Sequence, residues 1–270
     1  MRTNCTNSDM VIDIHAHAWP EKVSQKAREN LESYYTVKCC GDPTVSTLLS
    51  FMDANKVDVS VICAVASRPE QVVSINDWLF SVAGERIKIF ASLHPGYSGW
   101  KKEIARIREY AHGIKFQPSF QSFFVDDEAV FPVYEALEGS GLPVLFHSGD
   151  ELAPQMTIRA TPERLLKVHK KFPGMTMIAA HMGGFRQWDE VKRILVGTDI
   201  YLDTSASFGY ISDEDALYIM RRHPQERIVF GTDFPFFSQK TGLDYIEKLG
   251  LGRHHKELIL SGNARRLLRI

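Results

Sequence analysis

The alternation of short β-branched runs with helix-length amphipathic segments constrains the fold of this chain more than any other feature. Eight runs are predicted as strands, over residues 11–15, 57–65, 87–93, 113–116, 143–147, 175–181, 200–204 and 227–232. Helices are predicted between them, for example over residues 21–35, 128–140 and 244–249, with a closing helix over residues 256–268. This alternation is typical of β–α units whose strands form a parallel sheet.

Eight such units in 270 residues predict an α/β fold, a (β/α)8 TIM barrel that forms a single domain over residues 1–270. No linker or low-complexity tract interrupts the alternation. The alternative is an open doubly wound sheet that binds a dinucleotide. However, no Gly-x-Gly-x-x-Gly turn follows the first strand. The pair Gly183 and Gly184, after the sixth strand, is too short a glycine stretch to bind a dinucleotide.

The balance of charges limits the classes of partner. The chain has 32 basic and 33 acidic residues, which gives no electrostatic basis for binding nucleic acid or an anionic membrane. No run has the length and apolarity of a signal peptide or a membrane span, and the four cysteines lack the spacing of a zinc ribbon or a disulfide framework. We therefore expect a cytoplasmic protein with a small-molecule substrate, and a homodimer is the oligomeric state to test.

The stretch Asp13-Ile14-His15-Ala16-His17 closes the first predicted strand. Alternate side chains of an extended strand share a face, so Asp13, His15 and His17 are predicted to point the same way. Two imidazoles at this spacing can bind one metal ion. A pair of ordinary strand-end histidines is the alternative, and the residues of the later strands decide between the two.

Polar side chains of the kinds used in catalysis lie at the ends of four later strands. Lys115 lies on the fourth, His147 ends the fifth, His181 ends the sixth and Asp233 follows the eighth. Active sites of such barrels lie at the C-terminal ends of the strands, so these side chains are predicted to meet the histidine pair at one rim. A lone strand-end histidine is more often hydrogen-bonded than bound to metal, but the coincidence on five strands favours a metal-dependent enzyme.

In these motifs the chain resembles the amidohydrolase superfamily, in particular the amidohydrolase-related branch that includes aminocarboxymuconate-semialdehyde decarboxylase. The resemblance spans nearly the whole chain, and its motifs are Asp13-x-His15-x-His17, Gly113-Ile114-Lys115, His147, His181-Met182-Gly183-Gly184, Tyr201-Leu202-Asp203-Thr204-Ser205, Gly231-Thr232-Asp233 and Gly262-Asn263-Ala264-Arg265-Arg266-Leu267. The resemblance implies a metal bound by His15, His17, His147 and Asp233, with His181 beside it in a catalytic role. It also places Lys115 where other superfamily members carry a carbamylated lysine that bridges two metals.

The residue types at this rim suit a transition metal. Three imidazoles and one carboxylate favour Zn²⁺, with Mn²⁺, Fe²⁺ and Co²⁺ as alternatives. A bound metal lowers the pKa of water to about 7, so Asp233 could bind the metal with one oxygen and take a proton from water with the other. His181 is predicted to shuttle a proton or to stabilise a developing oxyanion, and Asp13 to orient the ligands rather than to bind the metal.

Lys115 determines how many metal ions are expected. An ammonium group that faces a metal would be repelled, so Lys115 must be neutral, carbamylated, or turned toward an anion such as Asp233 or a substrate carboxylate. Carbamylation would let it bridge two ions. We favour one ion and an uncarbamylated Lys115 that orients Asp233 or the substrate, which makes Lys115 a catalytic candidate together with His181 and Asp233.

Aromatic residues are frequent in the loops at this rim. Trp19 follows the histidine pair, Phe123 lies after the fourth strand and Phe185 follows the double glycine. Packing of the loops explains part of these aromatics, and the rest are predicted to line an apolar or aromatic substrate pocket. Arg159 and Arg186 are the candidates for binding a substrate carboxylate.

Two reactions fit this set of residues. Hydrolysis of an amide, lactone or ester of a small carboxylated substrate by metal-activated water is the first expectation. Non-oxidative decarboxylation of a small unsaturated or aromatic acid is the alternative, because the same metal could polarise the acid while a proton is delivered to carbon. A nuclease would require an acid where Lys115 stands, and a non-enzymatic metal-binding barrel would lack one or more of the rim residues.

Overall fold

A computed structural model describes residues 10–153 and 157–270 of the chain. Its sheet contains eight parallel strands in chain order. They are β1 Ile12–Ala16, β2 Val59–Cys63, β3 Ile87–Ser92, β4 Gly113–Phe116, β5 Val144–Phe146, β6 Met177–Ala179, β7 Tyr201–Asp203 and β8 Ile228–Val229. All eight predicted strands are confirmed, and most are shorter than their apolar runs because those runs continue into the loops.

The chain beyond β8 closes the sheet against β1. The backbone N–H of Ile14 donates to the carbonyl of Phe230 over 2.9 Å, and that of His17 donates to the carbonyl of Phe234 over 2.7 Å. Ala16 also pairs in parallel with Phe234. The first and last strands are therefore joined, and the fold is the predicted single-domain (β/α)8 barrel.

Helices surround the barrel between successive strands. They are α1 Glu21–Tyr35, α2 Val45–Asn55, α3 Val72–Val82, α4 Trp100–Tyr110, α5 Phe131–Glu138, α6 Pro162–Lys171, α7 Trp188–Ile194, α8 Asp213–Arg222, α9 Gln239–Lys248, α10 Arg253–Glu257 and α11 Asn263–Leu268. The strands are buried on both sides by these helices and by the barrel interior, which is why they read as continuous apolar runs in the sequence.

Three predicted helices begin or end at other residues. Helix α9 starts five residues earlier than residue 244, because the side chain of Ser238 caps it by accepting from the backbone N–H of Thr241 over 3.1 Å. The helix predicted over residues 128–140 is a 3-10 turn, Glu128–Val130, followed by α5. The closing helix is divided by a π-helical turn, Leu258–Gly262, which lies between α10 and α11.

The π-helical turn and the start of α11 hold β8 and the residues on either side of it. Ile259 accepts a hydrogen bond from the backbone N–H of Phe230 over 3.0 Å. The buried amide of Asn263 donates to the carbonyls of Gln225 and Ile228 over 2.7 and 2.6 Å. These contacts fix the position of the last strand. Asp233 follows that strand, at the rim formed by the C-terminal ends of the strands.

Candidate metal and substrate site

His15 lies inside the barrel and connects three strands. Its Nδ1–H donates to Asp203 Oδ2 over 2.8 Å, and its Nε2 lies 3.0 Å from Lys115 Nζ. Because β1, β4 and β7 are not neighbours in the sheet, these contacts cross the barrel interior. Burial, followed by the charge of Lys115, lowers the pKa of His15 to about 4. The ring is therefore neutral at pH 7, with the lone pair of Nε2 turned toward the rim.

His17 and Asp233 complete a cluster with His15. His17 Nε2 lies 3.0 Å from Asp233 Oδ1, and His15 Nε2 lies 3.6 Å from the same oxygen. One ligand atom from each of the three residues falls within 4.8 Å of the others. His17 Nδ1–H donates to the carbonyl of Cys63 over 2.6 Å, so its Nε2 also presents a lone pair.

These three acceptor atoms need a cation or a proton between them. Asp233 follows β8 in the left-handed backbone region, with a φ of 67°, and this turn brings its carboxylate over the histidine pair. Burial raises the pKa of this carboxyl, but its contact with His17 Nε2, where a proton can be shared, holds the pKa well below its usual value. Two imidazole lone pairs and an ionised carboxylate fit a divalent metal ion.

Strict alternation along β1 predicts that Asp13 and His15 share a face, but in the structure they do not. The register of β1 against β2 shifts between Asp13 and Ala16, and such a bulge changes which face each side chain occupies. Asp13 accepts hydrogen bonds from Thr232 Oγ1 over 2.6 Å and from Gln239 of α9 over 3.4 Å. Burial raises the pKa of Asp13 to about 7. It joins β1 to the chain after β8 and does not belong to the ligand cluster.

His181 lies beside the cluster at the turn after β6. Its φ of 59° reverses the chain. Its Nδ1 lies 3.0 Å from the hydroxyl oxygen of Ser205, and its ring centroid lies 5.4 Å from that of His15. Burial, and then the charge of His147, lowers the pKa of His181 to about 3. This position is compatible with its predicted catalytic role, which stays a prediction.

His147 lies outside the cluster formed by His15, His17 and Asp233. Its Nδ1 lies 3.0 Å from His181 Nε2, and its Nε2 lies 3.0 Å from Glu151 Oε1. His147 lines the same cavity as the cluster. Its role as a fourth ligand stays a prediction.

Asp203 organises the site from β7, and it was not among the site residues predicted from the sequence. Besides His15, it accepts from the backbone N–H groups of His181 and Ser205, each over 2.9 Å. Burial raises the pKa of Asp203, but the hydrogen bonds that it accepts from His15 and Ser205 hold this pKa well below its usual value. The available signal was the Tyr201–Asp203 stretch, which marked the family but gave no partner for its carboxylate.

Lys115 is 2% exposed and points into the cavity from β4. Burial lowers the pKa of its amine. Within the part of the chain that the structure describes, Lys115 has no ion pair with a carboxylate, and its hydrogen-bond partner is His15. The amine thus contacts the nitrogen through which His15 would bind a metal, rather than Asp233. Its carbamylation and its catalytic role stay predictions.

A cavity of about 790 Å³ opens above the cluster. Its lining includes His15, His17, Lys115, His147, His181 and Asp233, together with the aromatic residues Trp19, Tyr35, Trp78, Phe120, Phe185, Tyr210, Phe236 and Phe237. A cavity of this size with apolar walls and a few convergent polar groups is suited to a small organic molecule. Of the predicted substrate-binding residues, Trp19 and Phe185 belong to this lining.

Phe123, Arg159 and Arg186 lie outside the residues that line this cavity. Phe123 is buried against Phe116, with ring centroids 5.7 Å apart. The Arg159 guanidinium lies 4.9 Å from the centre of the Phe124 ring. The guanidinium of the exposed Arg186 lies 5.3 Å from the centre of the Phe185 ring. Contact of these three with a substrate would require movement, and their binding roles stay predictions.

Residues 12–270 match the family model described as Amidohydrolase, and the chain belongs to that family. The predicted resemblance to the amidohydrolase superfamily is thereby confirmed, and the chain is an enzyme of this class. No curated protein sequence matches the chain significantly. Among the described residues, no helix combines the length and the apolarity needed to cross a membrane. The cytoplasmic location and the homodimer stay predictions.

Solved structures with the same fold include three decarboxylases of aromatic acids. The 5-carboxyvanillate decarboxylase from Sphingomonas paucimobilis is 16% identical, with a TM-score of 0.69 over 97% of this chain and 99% of that chain. The 2,6-dihydroxybenzoate decarboxylase from Rhizobium is 16% identical, with a TM-score of 0.70 over 96% and 98%. The 5-carboxyvanillate decarboxylase from Novosphingobium aromaticivorans, complexed with manganese and 4-hydroxy-3-methoxy-5-nitrobenzoic acid, is 14% identical, with a TM-score of 0.72 over 99% and 98%.

Proposed function

We propose that this enzyme is a metal-dependent, non-oxidative decarboxylase of a small aromatic acid. The observation that carries this proposal is the aromatic-lined cavity that ends on the His15, His17 and Asp233 cluster, with Lys115 buried beside it. Aromatic walls accept a planar ring, and the polar groups at the base accept its carboxylate and a neighbouring hydroxyl. Of the two reactions predicted from the sequence, decarboxylation is the better supported, because three neighbours of the same fold are named as decarboxylases of such acids.

The proposed cofactor is one divalent metal ion bound by His15, His17 and Asp233, with His147 as the predicted fourth ligand. Zn²⁺ is the first expectation for imidazole and carboxylate ligands, but the manganese in a neighbouring decarboxylase makes Mn²⁺ the ion to test first. When bound, the ion would orient the oxygen atoms of the substrate and stabilise the negative charge that develops on them.

The protein groups have distinct proposed roles in the reaction. Decarboxylation breaks the bond between the ring carbon and the carboxylate, the electron pair stays on the ring carbon, that carbon takes a proton, and CO₂ leaves. His181, which lines the cavity beside the cluster, is the proposed carrier of this proton. Lys115 is proposed to orient the substrate oxygens from the base of the cavity, where its amine has no carboxylate partner among the described residues.

The test is a panel of acids offered to the protein loaded with Mn²⁺. Hydroxylated benzoates, including 2,6-dihydroxybenzoate and 5-carboxyvanillate, should lose CO₂ and give the corresponding phenols, measured by chromatography. Aromatic lactones and anilides of the same size serve as hydrolase substrates in parallel. Turnover of these in place of the acids would overturn the proposal and identify a hydrolase.

A further inference from the structure

We propose that Glu151 is a positioning residue that holds the ring of His147 so that Nδ1 faces the metal site. Glu151 Oε1 lies 3.0 Å from His147 Nε2, in the loop that follows β5. The inference rests on the proposed metal site, and it assigns a task to a carboxylate that the sequence motifs do not include.

Glu151 is itself held firmly in place. It is 4% exposed, although it lies on the wall of the cavity. Its Oε1 accepts from Gln117 Nε2 over 2.7 Å and its Oε2 accepts from Tyr35 Oη over 3.2 Å. Its backbone N–H donates to Asp150 Oδ1 over 2.8 Å. A carboxylate that receives donors from two other side chains is fixed as an acceptor.

This acceptor selects the tautomer of His147. In the neutral form of the ring the N–H belongs on Nε2, which is hydrogen-bonded to the carbonyl of Asp150 over 3.2 Å and lies 3.0 Å from the Glu151 carboxylate. The lone pair is then left on Nδ1. That atom accepts the N–H of His181 Nε2 over 3.0 Å, and the His181 ring lies 5.4 Å from the ring of His15 in the metal-binding cluster. Glu151, together with the Asp150 carbonyl, thus leaves as an acceptor the nitrogen on the side of His181, between His147 and the cluster.

The other two candidate histidines are held in the same way. His15 donates its Nδ1–H to Asp203 over 2.8 Å, and His17 donates its Nδ1–H to the carbonyl of Cys63 over 2.6 Å. In each ring, one nitrogen is bonded to a protein oxygen and the other is left for a cation. Outer partners of this kind typically change metal affinity by about 10–100-fold when removed. Glu151 is an oxygen acceptor beside one ring nitrogen of His147, as Asp203 is for His15.

The test measures Mn²⁺ binding rather than turnover. The dissociation constant is determined from the electron paramagnetic resonance signal of free Mn²⁺ for the wild type, Glu151→Gln, His147→Ala and the double variant. Glu151→Gln preserves size and removes the charged acceptor. Glu29→Gln, on the exposed side of α1, is the matched loss of one negative charge. Circular dichroism melting curves of all variants verify that each is folded.

We expect Glu151→Gln to weaken Mn²⁺ binding by about 10–100-fold in the wild-type background and to add no further loss to His147→Ala. Glu29→Gln should bind as the wild type does. An unchanged dissociation constant in both Glu151→Gln and Glu151→Leu, which removes both accepting oxygens, overturns the inference. An equal loss in both backgrounds also overturns it, since Glu151 would then act through its charge and not through His147. A protein that binds Mn²⁺ as expected but decarboxylates no acid contradicts the proposed reaction and leaves this inference intact.

Discussion

Lys115 Nζ lies 3.0 Å from His15 Nε2, so an amine from β4 contacts the nitrogen through which β1 would bind a metal ion. A metal and this amine cannot both use the same lone pair. When an ion binds to His15, Lys115 must therefore turn toward another acceptor, and a substrate oxygen in the cavity is the acceptor that the proposed function provides. The substrate-binding role of Lys115 and the metal-binding role of His15 are in this way connected.

Replacement of Lys115 by glutamine should separate metal binding from catalysis. The variant should bind Mn²⁺ as tightly as the wild type or more tightly, because no amine competes for His15. Its kcat/KM should fall by about 10²-fold, a typical cost of removing a group that acts on the developing charge. The control is Lys26→Gln, another lysine on the cavity wall. Loss of Mn²⁺ from Lys115→Gln would contradict this account and indicate a carbamylated lysine ligand.

Replacement of His181 by alanine should leave the metal in place and reduce turnover by about 10²-fold or more, the scale expected for a general acid–base group. Its imidazole is the proposed proton carrier, and it is not part of the cluster formed by His15, His17 and Asp233. Metal content by elemental analysis and kcat by product formation are measured on the same sample. A rate close to that of the wild type would show that His181 is structural.

Removal of the metal should abolish activity reversibly. Dialysis against a chelator should give an inactive protein, and activity should return in proportion to added Mn²⁺ until about one ion per chain is bound. His15→Ala should fail to regain either metal or activity, because it removes a ligand. Restoration only at two ions per chain would contradict the single-ion interpretation.

His223 should make the stability of the fold depend on pH. It lies at the end of the barrel opposite the site, where it is buried and its Nε2–H donates to the carbonyl of Ile200 over 2.9 Å. Burial lowers its pKa from 6.5 to about 4. The unfolded chain therefore takes up the proton first, so the stabilising contribution is present above pH 6.5 and is lost as the pH falls toward 4.

Urea unfolding at pH 7.5 and pH 5 measures this contribution. The free energy of unfolding of the wild type should fall by about 1–2 kcal/mol more than that of His223→Gln between the two pH values. Glutamine keeps a side-chain N–H donor near Ile200 and does not titrate. Equal losses in the two proteins would show that His223 does not carry this pH dependence.

The barrel could be predicted from the sequence because its strands are buried on both faces and therefore form continuous β-branched runs. That the candidate site residues meet at one rim of the barrel could be predicted from the rule that active sites lie at the C-terminal ends of the strands. The direction of Asp13 could not be predicted, because it depends on the bulge in β1. The partnerships of Asp203 with His15 and of Glu151 with His147 were also not predictable, because each joins residues from different parts of the chain whose distance only the register and the loops determine.

The most direct test of metal-dependent decarboxylation at this site is the release of ¹³CO₂ from a hydroxylated benzoate labelled at its carboxylate. Mass spectrometry would follow the gas from the Mn²⁺-loaded wild type, from the chelator-treated protein and from His15→Ala. We predict release in a one-to-one ratio with the phenol product from the wild type only. Equal release from all three samples, or a product that retains the label after the enzyme has acted on it, would contradict the account.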